Sequence, residues 1–213
     1  MTKKKETEEI ILKPIQIKEA TITIKGTTPL VINNFNEKSR QQIVDAQMKK
    51  PKTKELRNPI EDFMRALYWL TDMPTEFTTE AFEEALKNGA KFGFPAKGIK
   101  ASIVSGAYRN GMTKDKVSLY GAFLIPSEFV EINYKEVTMR EDYVRIAHGG
   151  TDVRFRPQFN DWSITFKIEY NDNGAYSLEQ IINFINLGGF SCGLGEMRVE
   201  KGGNFGSYIV DIK

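Results

Sequence analysis

Trp162 to Tyr170 is the stretch that most narrows what this chain can fold into. Trp162, Ile164, Phe166, Ile168 and Tyr170 alternate with Ser163, Thr165, Lys167 and Glu169, the period of a strand with one buried face and one wet face. Shortly after it, Ser177 and Gln180 form a capping-box pair around Leu178, Ile181, Ile182 and Ile185. That pattern predicts a helix with one buried stripe, ended by Gly188-Gly189.

The remaining elements are read in the same way. Ile15 and Ile17, then Ala20, Ile22 and Ile24, alternate with polar residues, and the change of parity near Glu19 predicts a bulged strand. Gly26 and Pro29 interrupt it, and Leu30-Val31-Ile32 reads as a short apolar continuation. Asn58-Pro59-Ile60-Glu61 opens a helix with an Asn cap and Pro at the first helical position. A second short helix is expected from Thr79 to Asn88. A third runs from Ala96 to Arg109, its Ile99, Ile103 and Ala107 spaced by four and Asn110-Gly111 stopping it. Strands are expected at Gly121–Ile125, Phe129–Arg140, Tyr143–Ala147 and Val153–Phe155, with Leu194–Val199 and Phe205–Ile212 closing the chain. With a helical, basic insertion at about 35–94 set aside, the order is β-α-β-β-α-β. This is the α+β, ferredoxin-like (RRM-like) plan, in one domain over residues 13–213 behind a flexible charged tail, residues 1–12.

Length and charge bound the function. The chain has 213 residues, 40% hydrophobic and 27% charged, with a formal net charge of +2. It is an ordinary globular composition, and any affinity for nucleic acid must come from where charge sits rather than from its total. The single cysteine, Cys192, excludes an internal disulfide framework or a cysteine-rich zinc site and fits a reducing compartment. No stretch approaches the roughly 20 apolar residues of a membrane span, so the expected location is cytoplasmic, without membrane contact.

The densest signal is Gly188 to Gly206, GGFSCGLGEMRVEKGGNFG, with seven of the chain's 17 glycines in 19 residues. No Gly-Lys-Ser/Thr follows, which excludes a Walker loop. The segment follows a helix and opens a strand, which is the reverse of a dinucleotide fingerprint. Neither ATP nor NAD is expected, and no cofactor. Glycine-rich backbone allows close approach to phosphate, with Arg198 and Lys201 placed to neutralise it. The same glycines also suffice for two tight hairpin turns.

LGGFSCGLGEMR, residues 187–198, resembles the C-terminal glycine-rich loop of the RAMP superfamily, the RNA-binding backbone and processing subunits of CRISPR systems. TITIKGTTPLVINN, residues 21–34, is similar to the first strand and Pro-Leu turn of that superfamily. The resemblance implies a ferredoxin-like fold that holds the backbone of single-stranded RNA or DNA, often in subunits stacked as a homo-oligomer or filament, in a CRISPR complex or in a phage or other mobile element. On that reading Gly188, Gly189, Gly193 and Gly195 belong to the binding loop.

Other residues fit the same partner. Arg140, Arg145, Arg154 and Arg156 interleave with Tyr143, His148, Phe155 and Phe159, a mixture that holds phosphates while rings stack on bases. With Glu141, Asp142 and Asp152 among them, they also describe a solvated sheet face. Lys50 and Lys52, in the run KKPKTKELR, form a basic loop; Lys97 and Lys100 stand near a helix start where phosphate binds well. The reading is a non-catalytic binding protein. Its rivals are an RNA-processing endonuclease using His148, the only histidine, as acid or base, and a structural or protein-interaction module. No carboxylate group has the spacing of a metal site.

Overall fold

The computed structural model describes residues 14–35, 37–49, 56–145 and 150–211. The charged tail, Lys50, Lys52 and His148 lie outside these described residues. In chain order the elements are β1 (Ile17–Gly26), β2 (Leu30–Val31), α1 (Glu37–Gln47), α2 (Pro59–Arg65), α3 (Thr79–Lys87), β3 (Gly93–Pro95), α4 (Ala96–Arg109), α5 (Lys116–Tyr120), β4 (Phe123–Leu124), β5 (Phe129–Asn133), β6 (Glu136–Arg145), β7 (Thr151–Asn160), β8 (Ser163–Asn171), α6 (Leu178–Ser191) and β9 (Tyr208–Val210).

The main sheet runs β3-β5-β8-β1-β9, with β4 also pairing β8. Its central strands β5-β8-β1-β9 are antiparallel to their neighbours, and α4 and α6 provide the two crossovers. This is the ferredoxin-like arrangement, reached by an α+β chain of the expected order. The α1–α3 segment and β3 are inserted between β1 and α4. A long hairpin, β6–β7, is inserted between β5 and β8 and forms a second sheet, β2-β7-β6.

The core follows from the alternation. Ile22 and Ile24 of β1 and Ile164, Phe166, Ile168 and Tyr170 of β8 point inward against Ile99, Ile103 and Ala107 of α4 and Ile181, Phe184 and Ile185 of α6, all buried. Each large side chain removed from water in this way contributes about 1.5–3 kcal/mol. Phe63, Phe82, Trp69, Phe92, Tyr134 and Phe159 form a contiguous aromatic group that ties the insertion to the hairpin base, with ring centroids 4.8–6.2 Å apart.

Three expectations are corrected. No bulge lies near Glu19: β1 pairs β8 in unbroken register from Ile17 opposite Asn171 to Lys25 opposite Ser163. The parity change arises because Ile15 and Ile17 are exposed, at 77% and 60%. Leu194–Val199 is not a strand; it is loop leading into a single 3-10 turn at Val199–Lys201, joined to the chain beyond by an Arg198–Phe205 bridge. Finally, α6 does not stop at Gly188-Gly189 but runs through both to Ser191. A Cβ on Gly189 would lie 1.9 Å from the Tyr208 carbonyl oxygen, and one on Gly106 would lie 2.5 Å from Gly188 Cα. The paired glycines let α6 touch α4 and β9 backbone to backbone, and that contact outweighs their poor helix propensity.

Candidate nucleic-acid interface

The loop that follows α6 folds back on itself. Leu194 N–H donates to Gly206 C=O, Glu196 N–H to Val31 C=O and Gly206 N–H to Pro29 C=O, at 2.7–2.9 Å. Gly195 and Gly206 have φ near +70°, and a Cβ on either would lie about 2 Å from a carbonyl oxygen, of Val31 and Leu194 respectively. Only glycine permits both that backbone conformation and that approach. The amides of Gly193, Leu194, Glu196, Gly202, Gly203, Phe205 and Gly206 donate within the protein. These seven amides are therefore engaged within the protein, and Gly188 and Gly189 are buried in α6. What this segment offers a ligand is a shaped surface.

Arg198 braces that surface from within. Its guanidinium donates to Gly195 C=O at 3.0 Å and to Glu200 at 3.1 Å, and Arg109 donates to the other Glu200 oxygen at 2.9 Å. Burial pushes the Glu200 carboxyl up, but the hydrogen bond and charge of Arg198 and the charge of Arg109 outweigh it and hold the group below its usual range. Cys192 is buried; burial and the Glu200 charge push its thiol up, away from nucleophilic use. Lys201 is exposed.

Between this loop and α4 lies a cleft of roughly 250 Å³. Its helix side is made of Gly98, Ala101, Ser102 and Ser105, spaced to share one face of α4. Ser102 Oγ lies 3.0 Å from the Tyr208 hydroxyl and donates to Gly188 C=O. Glu196 and Tyr68 also line the cleft. Burial and then the Glu196 charge push the Tyr68 phenol up. Lys97 is exposed and immediately precedes Gly98 of the cleft face. Lys100 is on the far side of α4, its ammonium 5.3 Å from the Phe123 ring and 6.0 Å from Tyr120, with its pKa lowered by burial.

The hairpin sets Arg140 directly opposite Arg156, and Asp142 opposite Arg154. Side chains of one parity form a polar ladder. Arg140 Nε donates to Asp142 at 2.6 Å and Nη1 to Gln158 at 3.2 Å, while its guanidinium lies 4.6 Å from the Phe205 ring of the glycine-rich segment. Arg154 Nε lies 2.7 Å from Asp152, and Arg57 reaches the other Asp152 oxygen at 2.9 Å and also pairs with Asp62. Burial pushes Asp152 up, but the Arg57 hydrogen bond and the charges of Arg154 and Arg57 prevail and hold it low. Arg156, 8% exposed, lies 3.6 Å from Asp142 and 3.8 Å from Glu196. Arg145 is exposed at the distal end of β6. Arg140, Arg154 and Arg156 are thus each matched by a carboxylate, and the structure joins two of them to the glycine-rich segment.

The open face of the sheet gives no stacking platform on its two central strands. Ile17, Glu19, Thr21, Thr23 and Lys25 of β1 and Ser163, Thr165, Lys167 and Glu169 of β8 occupy it, without an aromatic ring between them. Among the described residues, no group of three His, Cys, Asp or Glu side chains is placed to hold a metal ion, and no helix is long and apolar enough to cross a membrane. Sequence reading missed Tyr68 and Glu196. Nothing local marks Tyr68, whereas Glu196 stands inside the glycine-rich segment and was visible as a carboxylate where phosphate was expected.

No family model matches the chain, and no curated protein matches it at a significant level. Among solved structures it is similar to Cmr6 from Pyrococcus furiosus, with 12% identity over 92% of this chain and 99% of that one and a TM-score of 0.35.

Proposed function

We propose that the chain is a non-catalytic RAMP-like protein that binds single-stranded RNA or DNA in the cleft between α4 and the glycine-rich segment. The observation that carries the reading is the cleft itself, between α4 and the glycine-rich segment, with exposed Lys97 one position before its Gly98 and exposed Lys201 one position after its Glu200. Lysines used in this way meet phosphates rather than base edges, so binding is weakly sequence-dependent and salt-sensitive. A groove of this size takes the backbone or one base of a single strand but not a duplex, and Tyr68 is the ring available for stacking. Assembly along the strand is part of the proposal. Tyr108, Met112, Val117, Tyr120 and Leu124 are exposed apolar side chains around α5, a surface suited to a second copy. A cytoplasmic role in a CRISPR complex or a mobile element is the setting that fits such a subunit.

The test is the charge-reversed pair Lys97→Glu and Lys201→Glu, compared with the native chain for binding of a labelled single strand. Loss of affinity with unchanged thermal stability supports the site, and unchanged affinity rejects it. A second reading, a protein-interaction module, is favoured by the internal pairing of Arg140, Arg154 and Arg156; on that reading no salt-dependent affinity exists at all.

A further inference from the structure

Arg140 and Arg156 face each other across the hairpin, yet their surroundings differ. Arg140 has two hydrogen bonds of ordinary length and a ring beneath its guanidinium. Arg156 is more deeply buried and has neither: its contacts to Asp142 and Glu196 are 3.6 and 3.8 Å long. Its Nε has no hydrogen-bond acceptor among the described residues, and the facing Asp142 Oδ2 has no donor. An arginine cannot shed its proton to escape such a position, and its planar fork matches a phosphate or carboxylate held at hydrogen-bond distance. The guanidinium therefore stands in a position made for an anion that the present neighbours fill incompletely.

Of those two neighbours, one is fixed and one is free to leave. Asp142 is buried and held by Arg140. The Glu196 side chain is 42% exposed, lines the cleft beside Tyr68, and has its backbone anchored by the bond to Val31. Its carboxylate is able to swing without disturbing the loop. Arg156 does not itself line the cleft but lies behind Glu196, which does. We propose that Arg156 is a phosphodiester site reached from the cleft where Glu196 now stands, and that Glu196 is a built-in competitor which a backbone phosphate of the bound strand displaces. This rests on the single-strand reading above and adds to it the site and the group that restrains it. Its consequence has the opposite sign to that of an ordinary contact: removing the Glu196 charge strengthens binding, and the gain passes through Arg156.

The experiment is a double-mutant cycle on the full chain, read by fluorescence anisotropy with a labelled 20-nucleotide oligo(U) or oligo(dT). Arg156→Gln is paired with Asp142→Asn so that the positive charge removed is matched by a negative charge removed beside it. Glu196→Gln is expected to tighten binding roughly fivefold, the effect of one nearby charge at partial burial. Added to the Arg156→Gln/Asp142→Asn background, it is expected to change affinity less than twofold. A native chain that fails to bind while Glu196→Gln binds also supports the proposal. Tightening that persists without Arg156 makes Glu196 a general repulsive charge and overturns it, as does a Glu196→Gln chain that binds no better than the native one; the single-strand reading survives both results. If neither chain binds at low salt, that reading and this proposal fail together. Should the background variant not fold, the Arg156 Nε–H resonance of the native chain replaces it: a shift on titration with the oligonucleotide, reached at lower concentration in Glu196→Gln, supports the site, and a static resonance at saturation removes it.

Discussion

Gly189→Ala separates a packing glycine from an ordinary helical one, because two principles give opposite signs. In a helix interior, alanine is favoured over glycine by about 1 kcal/mol, so propensity alone expects a more stable protein. The structure puts the added Cβ 1.9 Å from the Tyr208 carbonyl oxygen and 2.7 Å from that residue's ring, inside the 3.0 Å that real Cβ contacts essentially never cross. Backbone of β9 or α6 must shift by more than 1 Å to relieve it. Overpacking of a close-packed core costs about 1–3 kcal/mol, and this clash with backbone belongs at the upper end. The net is a loss of about 2 kcal/mol, which for a domain of this size lowers Tm by about 4–8 °C. Thermal melts followed by far-UV circular dichroism and tryptophan fluorescence measure it, with Trp162 buried in the core. An unchanged or raised Tm refutes the packing argument. Oligonucleotide affinity well below Tm is expected to stay within twofold; a tenfold loss in a folded protein returns Gly189 to the binding surface.

Further outcomes follow from the same geometry. Lys97→Glu and Lys201→Glu should each weaken single-strand binding several-fold and lower the slope of log K against log salt by at least about 0.7, the share of one phosphate contact; unchanged slopes place the contacts elsewhere. Tyr208→Phe removes the hydroxyl beside Ser102 Oγ and should cost about 1 kcal/mol in urea unfolding. The Tyr208 phenol, held far above its ordinary range by burial, should ionise only as the protein unfolds in an alkaline spectrophotometric titration. Asp152 and Glu200 have folded pKa values below their unfolded ones, so in acid the unfolded chain binds more protons. Their stabilisation is complete above the unfolded values near 4 and is lost as pH falls through the lower folded values. Glu200→Gln should flatten the fall of Tm below about pH 4.5, and a fall as steep as in the native chain removes Glu200 from that effect.

Much of the fold was legible because its signals are local. The capping box at Ser177 and Gln180 is present with both hydrogen bonds, and Asn58 caps α2 through its side chain. The alternation of Trp162 to Tyr170 matches burial residue by residue. What misled was tertiary. Ile15 and Ile17 looked like a buried face because an open sheet side tolerates apolar residues that alternation alone places inside. Gly188-Gly189 reads as a helix stop wherever no partner backbone approaches, and here Tyr208 and Gly106 approach.

The site was legible in composition and not in pairing. The arginines of β6 and β7 were visible, and so was a clue to their partners: Arg140 and Asp142, like Asp152 and Arg154, are two apart and share a strand face. Register then decides that Asp142 also meets Arg156 across the hairpin, and register depends on where the turn falls. Glu196 meets Arg156 from 40 positions away through the fold of the glycine-rich segment, a contact that no window of sequence contains.

The measurement closest to the central claim is a salt series of anisotropy titrations with matched single-stranded RNA, single-stranded DNA and duplex DNA. The account expects saturable binding to single strands that weakens steeply between 50 and 200 mM salt, as about three phosphate contacts require, and at least tenfold weaker binding to duplex. Flat traces for all three at micromolar protein and low salt, or equal affinity for duplex, contradict it.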